Sequence, residues 1–170
     1  MPINPPLNFQ QWIKDNRHLL KPPVGNQVVY KNTDFMIMVV GGPNTRKDYH
    51  VDTVEEFFYQ LEGDMVLKVM EDGKRVDIPI KEGEIFLLPK NVPHSPQRFE
   101  NTVGLVVEYQ RNEGDLDGFQ WYCDSCDSLL YETYLDLEDI VAQLPPIFEK
   151  YWKNLDARTC EHCGAVQEKP

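Results

Sequence analysis

Between Gln27 and Gln110 the apolar residues come in short runs separated by turn residues, and no helical period connects them. Runs of this kind are typical of β-strands. The predicted strands are Phe35–Val40, Glu56–Leu61, Met65–Met70, Val76–Ile80, Ile85–Leu88 and Val103–Tyr109. Because many short strands at this spacing favour closed or double-layered sheets, the pattern predicts a mainly β fold, either a small barrel or a double-sheet jelly roll.

The run Val103–Tyr109, VGLVVEY, is apolar at nearly every position. A strand with one wet face would alternate between apolar and polar residues. We therefore expect one face of this strand to pack in the barrel interior and the other to meet a second sheet or a partner subunit, which favours a homodimer.

Helical patterns flank the β region. Residues Asn8–Leu20 predict a first helix, with Asn8 as its N-cap and Gln11 in the capping-box position. Helical spacing returns over Asp136–Asp156, where Pro145-Pro146 is expected to break the helix. The acidic stretch Asn112–Gly118 is interpreted as a hinge. The predicted division is a barrel with an N-terminal helix over residues 1–118 and a C-terminal segment over residues 119–170 packed on it.

Composition and charge narrow the classes of function. The chain has 170 residues and a formal net charge of −11, which opposes general affinity for nucleic acid phosphates. No apolar run reaches the roughly 20 residues of a membrane span. The N-terminus MPINPPLNFQ lacks the apolar core of a secretory signal. We therefore expect a cytoplasmic protein with a small-molecule substrate and with neither a nucleic acid nor a membrane as partner.

All four cysteines lie in two CxxC pairs, Cys123 with Cys126 and Cys160 with Cys163. In a reducing compartment such pairs favour a metal over disulfides. Four thiolates predict a closed tetrahedral site for Zn or a single iron. Because that shell has no open position, the predicted role of this metal is structural.

A second candidate metal site contains His50, Glu56 and His94. Two imidazoles and one carboxylate on a β scaffold form the facial triad that holds Fe(II) and leaves positions open for substrate and O2. By donor type alone Mn, Ni or Zn would also fit.

The spacing of these residues resembles the two cupin motifs. The matching positions are Gly42, His50, Glu56 and Gly63 in the first motif and Gly83, Pro89 and His94 in the second. The spacing to Gly63 favours Glu56 over Glu55 as the ligand. Asp52 stands where many cupins have another histidine, and Asn91 stands where a glycine is usual. The resemblance therefore implies a cupin jelly-roll barrel with three protein ligands to the metal.

Longer segments resemble one particular family. GGPNTRKDYHVDTVEEFFYQLEG, LLPKNVPHSPQRF, NTVGLVVE, QWYCDSC and RTCEHC together resemble the 3-hydroxyanthranilate 3,4-dioxygenases, in the short bacterial and fungal form with a C-terminal, rubredoxin-like cysteine site. This resemblance implies a homodimeric, Fe(II)-dependent enzyme of the kynurenine pathway. Its reaction would be extradiol opening of 3-hydroxyanthranilate by O2 to 2-amino-3-carboxymuconate semialdehyde, on the route to quinolinate and NAD.

The resemblance also implies roles for three further residues. Arg46 would face the O2 position and stabilise negative charge that develops there. Arg98 would bind the substrate carboxylate, because a guanidinium matches a carboxylate in a bidentate manner. Glu108 would contact the polar substituents of the substrate or orient Arg98.

Two alternatives stay open at this point. One is another cupin enzyme, such as a thiol dioxygenase or a sugar isomerase, which would share the triad but not Arg98 and Glu108. The other is a zinc-ribbon interaction module that carries a non-catalytic cupin.

Overall fold

The chain folds around two antiparallel sheets that face each other. The computed structural model describes residue 3 and residues 5–22, 25–31 and 33–170. One sheet has the order β1 (Asn26–Val28), β2 (Phe35–Gly41), β9 (Val103–Tyr109), β4 (Glu56–Glu62), β7 (Ile85–Leu88). The other has the order β11 (Leu129–Leu135), β10 (Asp117–Tyr122), β3 (Asp48–Val51), β8 (His94–Arg98), β5 (Met65–Glu71), β6 (Lys74–Ile80). The predicted mainly β, double-sheet architecture is confirmed.

The main core lies between the two sheets. Met38, Phe58 and Val106 from the first sheet pack with Leu67 from the second. Along β4 and β5 buried residues alternate with more exposed ones, because successive side chains of a strand point to opposite faces. This period of two fixes which residues enter the space between the sheets.

The apolar strands are confirmed to within a few residues, whereas the polar strands were missed. The strands β3 (DYHV) and β8 (HSPQR) contain mostly polar residues, yet their residues are largely buried. Hydrophobic periodicity cannot identify such strands, since their polar side chains find partners inside the protein. The candidate metal ligands His50 and His94 lie on these two strands.

The predicted hinge at Asn112–Gly118 is wrong at its C-terminal end. Asp117 and Gly118 are buried and begin β10, which pairs with both β3 and β11. The Asp117 carboxylate is held by Arg111 and by His50, and the contact with His50 joins residues 67 positions apart, which no local pattern shows. The division of the chain at residue 118 stays a prediction, and β10 runs across it.

The first helix is shorter than predicted. Helix α1 spans Phe9–Asn16, and a single 3-10 turn continues to Leu19. Asn8 caps the helix by accepting a hydrogen bond of 3.0 Å from the Gln11 amide. The Gln11 side chain donates to Asp15 instead, so only half of the predicted capping box forms. Helix α1 packs through Ile13 onto the outer face of the first sheet.

The C-terminal helices cover the second sheet. They span Ile140–Lys153 (α2) and Leu155–Arg158 (α3). The predicted break at Pro145-Pro146 is wrong, because α2 runs through both prolines. Burial of its apolar side against Trp121 of β10 outweighs the two backbone donors that the prolines lack. No helix in the described part of the chain is long and apolar enough to cross a membrane.

Candidate metal centre

Three side chains from three strands converge between the sheets. His50 lies on β3 and His94 on β8, and the two residues are paired directly across these neighbouring strands. Glu56 begins β4 in the opposite sheet. One ligand atom of each residue lies within 4.8 Å of one ligand atom of the others. The polar strands thus place two imidazoles opposite one carboxylate at the end of the barrel core.

When the His94 ring is neutral, its Nε2 and a carboxylate oxygen of Glu56 are two buried acceptors that face each other. Its Nδ1 lies 2.9 Å from the Val92 carbonyl oxygen, which can only accept, so Nδ1 is the donor. Its Nε2 therefore faces Glu56 Oε1, 2.8 Å away. With Nε2 unprotonated, that carboxylate oxygen has no hydrogen-bond donor among the described residues. A proton on Nε2 would join the two groups as an ion pair. A metal ion could take the place of that proton, because imidazole and carboxylate form a donor set that suits a divalent transition metal.

The charges favour the ionised carboxylate that a metal requires. Burial alone would raise the pKa of Glu56, but His94 and His50 beside it lower this pKa to about 2. Burial would likewise lower the pKa of His94, but the neighbouring Glu56 carboxylate raises it above its ordinary value. Each group stabilises the charged form of the other.

A carboxylate and an aromatic ring hold the ring of His50. Asp117 Oδ1 lies 2.6 Å from His50 Nε2, and the Phe119 ring stacks on the imidazole with centroids 5.2 Å apart. The other ring nitrogen, Nδ1, lies 3.8 Å from Glu56 Oε1. A carboxylate on the far nitrogen of a ligand histidine fixes its orientation and raises its basicity. Asp117 and Phe119 were both missed by the sequence analysis.

Arg111, also missed, joins the acidic residues around this centre. Its guanidinium lies 2.6 Å from Asp52 Oδ2 and 2.7 Å from Asp117 Oδ1, and it forms a short ion pair with Glu108. One signal in the sequence points to it. Glu108 lies in an apolar strand and needs a cation, and Arg111 is the next basic residue along the chain.

Glu108 pairs with Arg111 and not with Arg98. Burial and the nearby Glu56 raise the pKa of Glu108 to about 7, although Arg111 acts in the opposite direction. Glu108 lies directly across from Glu56 in the β4–β9 pairing. The structure thus brings this predicted substrate contact to the candidate metal centre.

Arg98 is a buried cation, with 3% of its surface exposed. Its Nη1 donates a long hydrogen bond of 3.3 Å to Gln60 Oε1. In the described part of the chain no carboxylate lies within ion-pair distance of this guanidinium. Burial lowers the pKa of Arg98 to about 10, while the charge of Glu56 acts to raise it.

Arg46 lies close to the same centre. It forms a short ion pair with Asp48, and its Nε donates to Asp48 Oδ1 over 3.3 Å. The positive charge of Arg46 acts to lower the pKa of both His94 and Arg98, because it lies near both residues. The predicted site residues of the barrel therefore lie in one region.

The four cysteines form a separate cluster. Their sulfurs all lie within 4.8 Å of one another, with separations of 3.5 Å for Cys123–Cys163 and for Cys126–Cys160. These distances exceed a disulfide bond of about 2 Å. They approach the edge of about 3.8 Å expected for a tetrahedron of thiolates around Zn at about 2.3 Å.

The two CxxC turns have the same backbone pattern. The amide of Cys123 donates to Ser128 O and the amide of Cys160 to Ala165 O, each over 2.8 Å. The residue after each second cysteine, Asp127 or Gly164, has a positive φ, 59° or 75°. Two matching turns that face each other present the four sulfurs to one point.

The double-sheet β barrel, with two histidines and a glutamate between its sheets, has the cupin fold. The crystal structure of protein NMB1881 from Neisseria meningitidis has the same fold, with a TM-score of 0.50 and 19% identity over 62% of this chain and all of that one. The family model for 3-hydroxyanthranilic acid dioxygenase matches residues 1–152, and the chain belongs to this family of dioxygenases.

Curated relatives match nearly the whole chain. The 3-hydroxyanthranilate 3,4-dioxygenase of Ruegeria pomeroyi is 56% identical over 160 residues, which cover 94% of this chain and 89% of that protein. The enzyme of the same name from Xanthomonas campestris is 52% identical over 166 residues, which cover 98% of this chain and 94% of that protein. The family predicted from the sequence segments is confirmed.

Proposed function

We propose that this protein opens the aromatic ring of 3-hydroxyanthranilate with O2 and releases 2-amino-3-carboxymuconate semialdehyde. The observation that carries the proposal is the buried guanidinium of Arg98, which lacks a carboxylate partner among the described residues and lies near the His50–Glu56–His94 cluster. A cation next to a metal site suits a substrate with a carboxylate that binds Arg98 and with other groups that bind the metal. The relatives named for this reaction support the same substrate.

In this proposal His50, Glu56 and His94 hold Fe(II). Two imidazoles and one carboxylate are the set used by non-haem iron oxygenases, which also bind substrate and O2 at the metal. When bound, Fe(II) lets electron density pass from the aromatic ring to O2, a reaction that is otherwise slow. Asp117 contributes by keeping the His50 ring in place.

The substrate would be oriented by charges that the fold has already placed. Arg98 binds the carboxylate, and because it is buried its charge is weakly screened by water. Glu108 accepts a hydrogen bond from the hydroxyl or amino group of the substrate. Arg46 stabilises the negative charge that develops on O2. Arg98, Glu108 and Arg46 need little rearrangement during the reaction, because contacts with Gln60, Arg111 and Asp48 already hold them in place.

The cysteine cluster is proposed to hold a structural Fe or Zn. Four thiolates complete the coordination shell, so this metal has no position for substrate. The product of the proposed reaction would lead to quinolinate and the nicotinamide cofactors.

An ultraviolet assay of the ferrous-reconstituted protein with 3-hydroxyanthranilate, with and without O2, tests the function. We expect a new product absorbance only in the presence of O2, and its loss in Glu56→Gln. Glu55→Gln is the matched control, because it removes the neighbouring carboxylate that is not in the cluster. Turnover of a thiol or a sugar phosphate instead of the aminophenol ring would favour another cupin enzyme.

Metal analysis of the same samples separates the remaining alternative. The proposal predicts two metals per fully loaded chain. A zinc-ribbon module on a non-catalytic cupin predicts one.

A further inference from the structure

The guanidinium of Arg98 lies in a space that exists because residue 104 has no side chain. Arg98 is on β8, and Gly104 is on β9 in the opposite sheet. A Cβ at position 104 would lie 2.5 Å from Arg98 Nη1 and 2.8 Å from Gln60 Oε1. Both distances are far below van der Waals contact, so the guanidinium occupies the place where another residue would put its first carbon.

Gln60 forms the other wall of this space. It lies directly across from Gly104 in the β4–β9 pairing and has 1% of its surface exposed. Its Nε2 donates to the Glu62 carbonyl, so Oε1 is the atom that faces Arg98. A neutral amide oxygen can orient a guanidinium without neutralising its charge.

The comparison with Arg111 shows how unusual this environment is. Arg111 contacts three carboxylates, and its charge is fully paired. A buried guanidinium is normally paired in this way, because taking an unpaired charge out of water costs several kcal/mol. In the described part of the chain, the Arg98 guanidinium hydrogen-bonds the Gln60 amide oxygen and has no carboxylate within ion-pair distance. The fold thus holds the Arg98 guanidinium in a buried position where it is available to bind an anion.

We propose that Gly104 and Gln60 are positioning residues that hold Arg98 for a substrate carboxylate and thereby set the selectivity for a carboxylated ring. This inference rests on the proposed function. A methyl group at position 104 would displace the far end of a flexible side chain and not backbone, so the fold should tolerate it. A carboxylate at position 60 would pair with Arg98 internally and compete with the substrate.

The test uses Gly104→Ala and Gln60→Glu, each in the native background and in Arg98→Ala. The ferrous enzyme is assayed with 3-hydroxyanthranilate and with 2-aminophenol, which lacks the carboxylate. Binding of 3-hydroxyanthranilate is measured separately without O2 by tryptophan fluorescence. Gln11→Glu makes the same charge change as Gln60→Glu on the exposed side of α1.

Each variant is expected to raise KM and Kd for 3-hydroxyanthranilate on the order of 10- to 100-fold, the size of a lost charge-assisted hydrogen bond. The effect on kcat should be smaller. The ratio of kcat/KM for the carboxylated over the plain ring should fall by a similar factor. In the Arg98→Ala background neither substitution should change KM further, because the guanidinium through which both would act is absent.

Equal effects of Gly104→Ala in both backgrounds would overturn the inference, since a general loosening of β9 acts without Arg98. An unchanged Kd in Gln60→Glu would also overturn it, and this variant decides the matter if Gly104→Ala does not fold. Suppose that the native protein binds 3-hydroxyanthranilate, that the variants weaken this binding as expected, and that the ring stays intact. This result would refute the proposed function but not the role of Gly104 and Gln60 in holding Arg98.

Discussion

Asp117 shows how one residue links two parts of the candidate site. Its carboxylate contacts the imidazole of His50 on one side and the guanidinium of Arg111 on the other. Arg111 in turn pairs with Glu108, the proposed substrate contact. The candidate metal ligand and the proposed substrate contact therefore share one chain of charged hydrogen bonds, in which Asp117 and Arg111 are each held on two sides.

The substitution Asp117→Asn is expected to weaken binding of the catalytic metal about 10- to 100-fold, the usual effect of losing a carboxylate behind a ligand histidine. The amide keeps the shape but loses the charge that orients the ring and raises its basicity. Competition with a chelator measures the affinity of the ferrous ion. Asp77→Asn, in an exposed pair with Lys68, is the matched control and should leave this affinity unchanged. Equal affinities in the two variants would contradict the role of Asp117.

At the scale of elements, β10 and α2 form an aromatic layer beside the candidate metal centre. The rings of Trp121 on β10 and Tyr151 on α2 stack with centroids 4.5 Å apart. The Tyr151 hydroxyl donates to Gln167 Oε1 over 2.7 Å, and Gln167 in turn donates to the Tyr122 carbonyl. This layer fixes α2 to the strand that also holds Asp117 and Phe119.

Removing the Tyr151 ring in Tyr151→Ala should lower the free energy of unfolding by roughly 3–5 kcal/mol, because it leaves a cavity in the layer. Tyr151→Phe keeps the ring but leaves Gln167 Oε1 without its donor, so a loss of about 1–3 kcal/mol is expected. Urea denaturation measures both. The control Lys153→Ala removes an exposed side chain from the same helix and should change the value by about 0.5 kcal/mol or less. A different order among these variants would show that the layer does not hold α2.

The elements that the sequence predicted well are the strands composed mainly of apolar residues. Val103–Tyr109 and Ile85–Leu88 were placed with their correct bounds, because alternation or a continuous apolar run is visible locally. The strands that form the site were missed for the opposite reason. His50 pairs with Asp117, and His94 pairs with Glu56. In both pairs the partners lie far apart in the chain, so no local pattern shows them.

The resemblance to a family pointed to the candidate metal ligands, which hydrophobic periodicity could not do. It did not reveal Arg111 or Gly104, since their roles depend on what faces them across the barrel. The helix that continues through Pro145 and Pro146 was missed because packing against β10 outweighs a strong local preference.

At the scale of the molecule, the first sheet exposes an apolar outer face where α1 does not cover it. Ile85 and Leu87 on β7 are 65% and 55% exposed, and Phe35 on β2 and Tyr109 on β9 are 44% and 54% exposed. The strand pairing places all four on the same face. Exposed apolar patches of this kind mark association surfaces. A second copy of the chain remains the expected occupant.

Sedimentation or light scattering should therefore find a mass twice that of the 19.8 kDa chain. Leu87→Glu places a charge in the centre of the face and should shift the protein to monomers. Leu155→Glu changes a leucine of similar exposure, 56%, on α3 and should leave the dimer intact. A native protein that is monomeric at every concentration would contradict this expectation.

The path of β10 limits how the molecule can be divided. The strand provides Asp117 and Phe119 beside His50 and Trp121 against α2, and the residue that follows it is Cys123 of the cysteine cluster. A shortened gene that stops after Gly118 would yield a barrel whose His50 ring has lost its aromatic neighbour and whose β3 has lost an adjacent strand. Split-protein reporters or chimaeras built from this chain should therefore place their junction outside Asp117–Cys123, so that the strand is inherited whole.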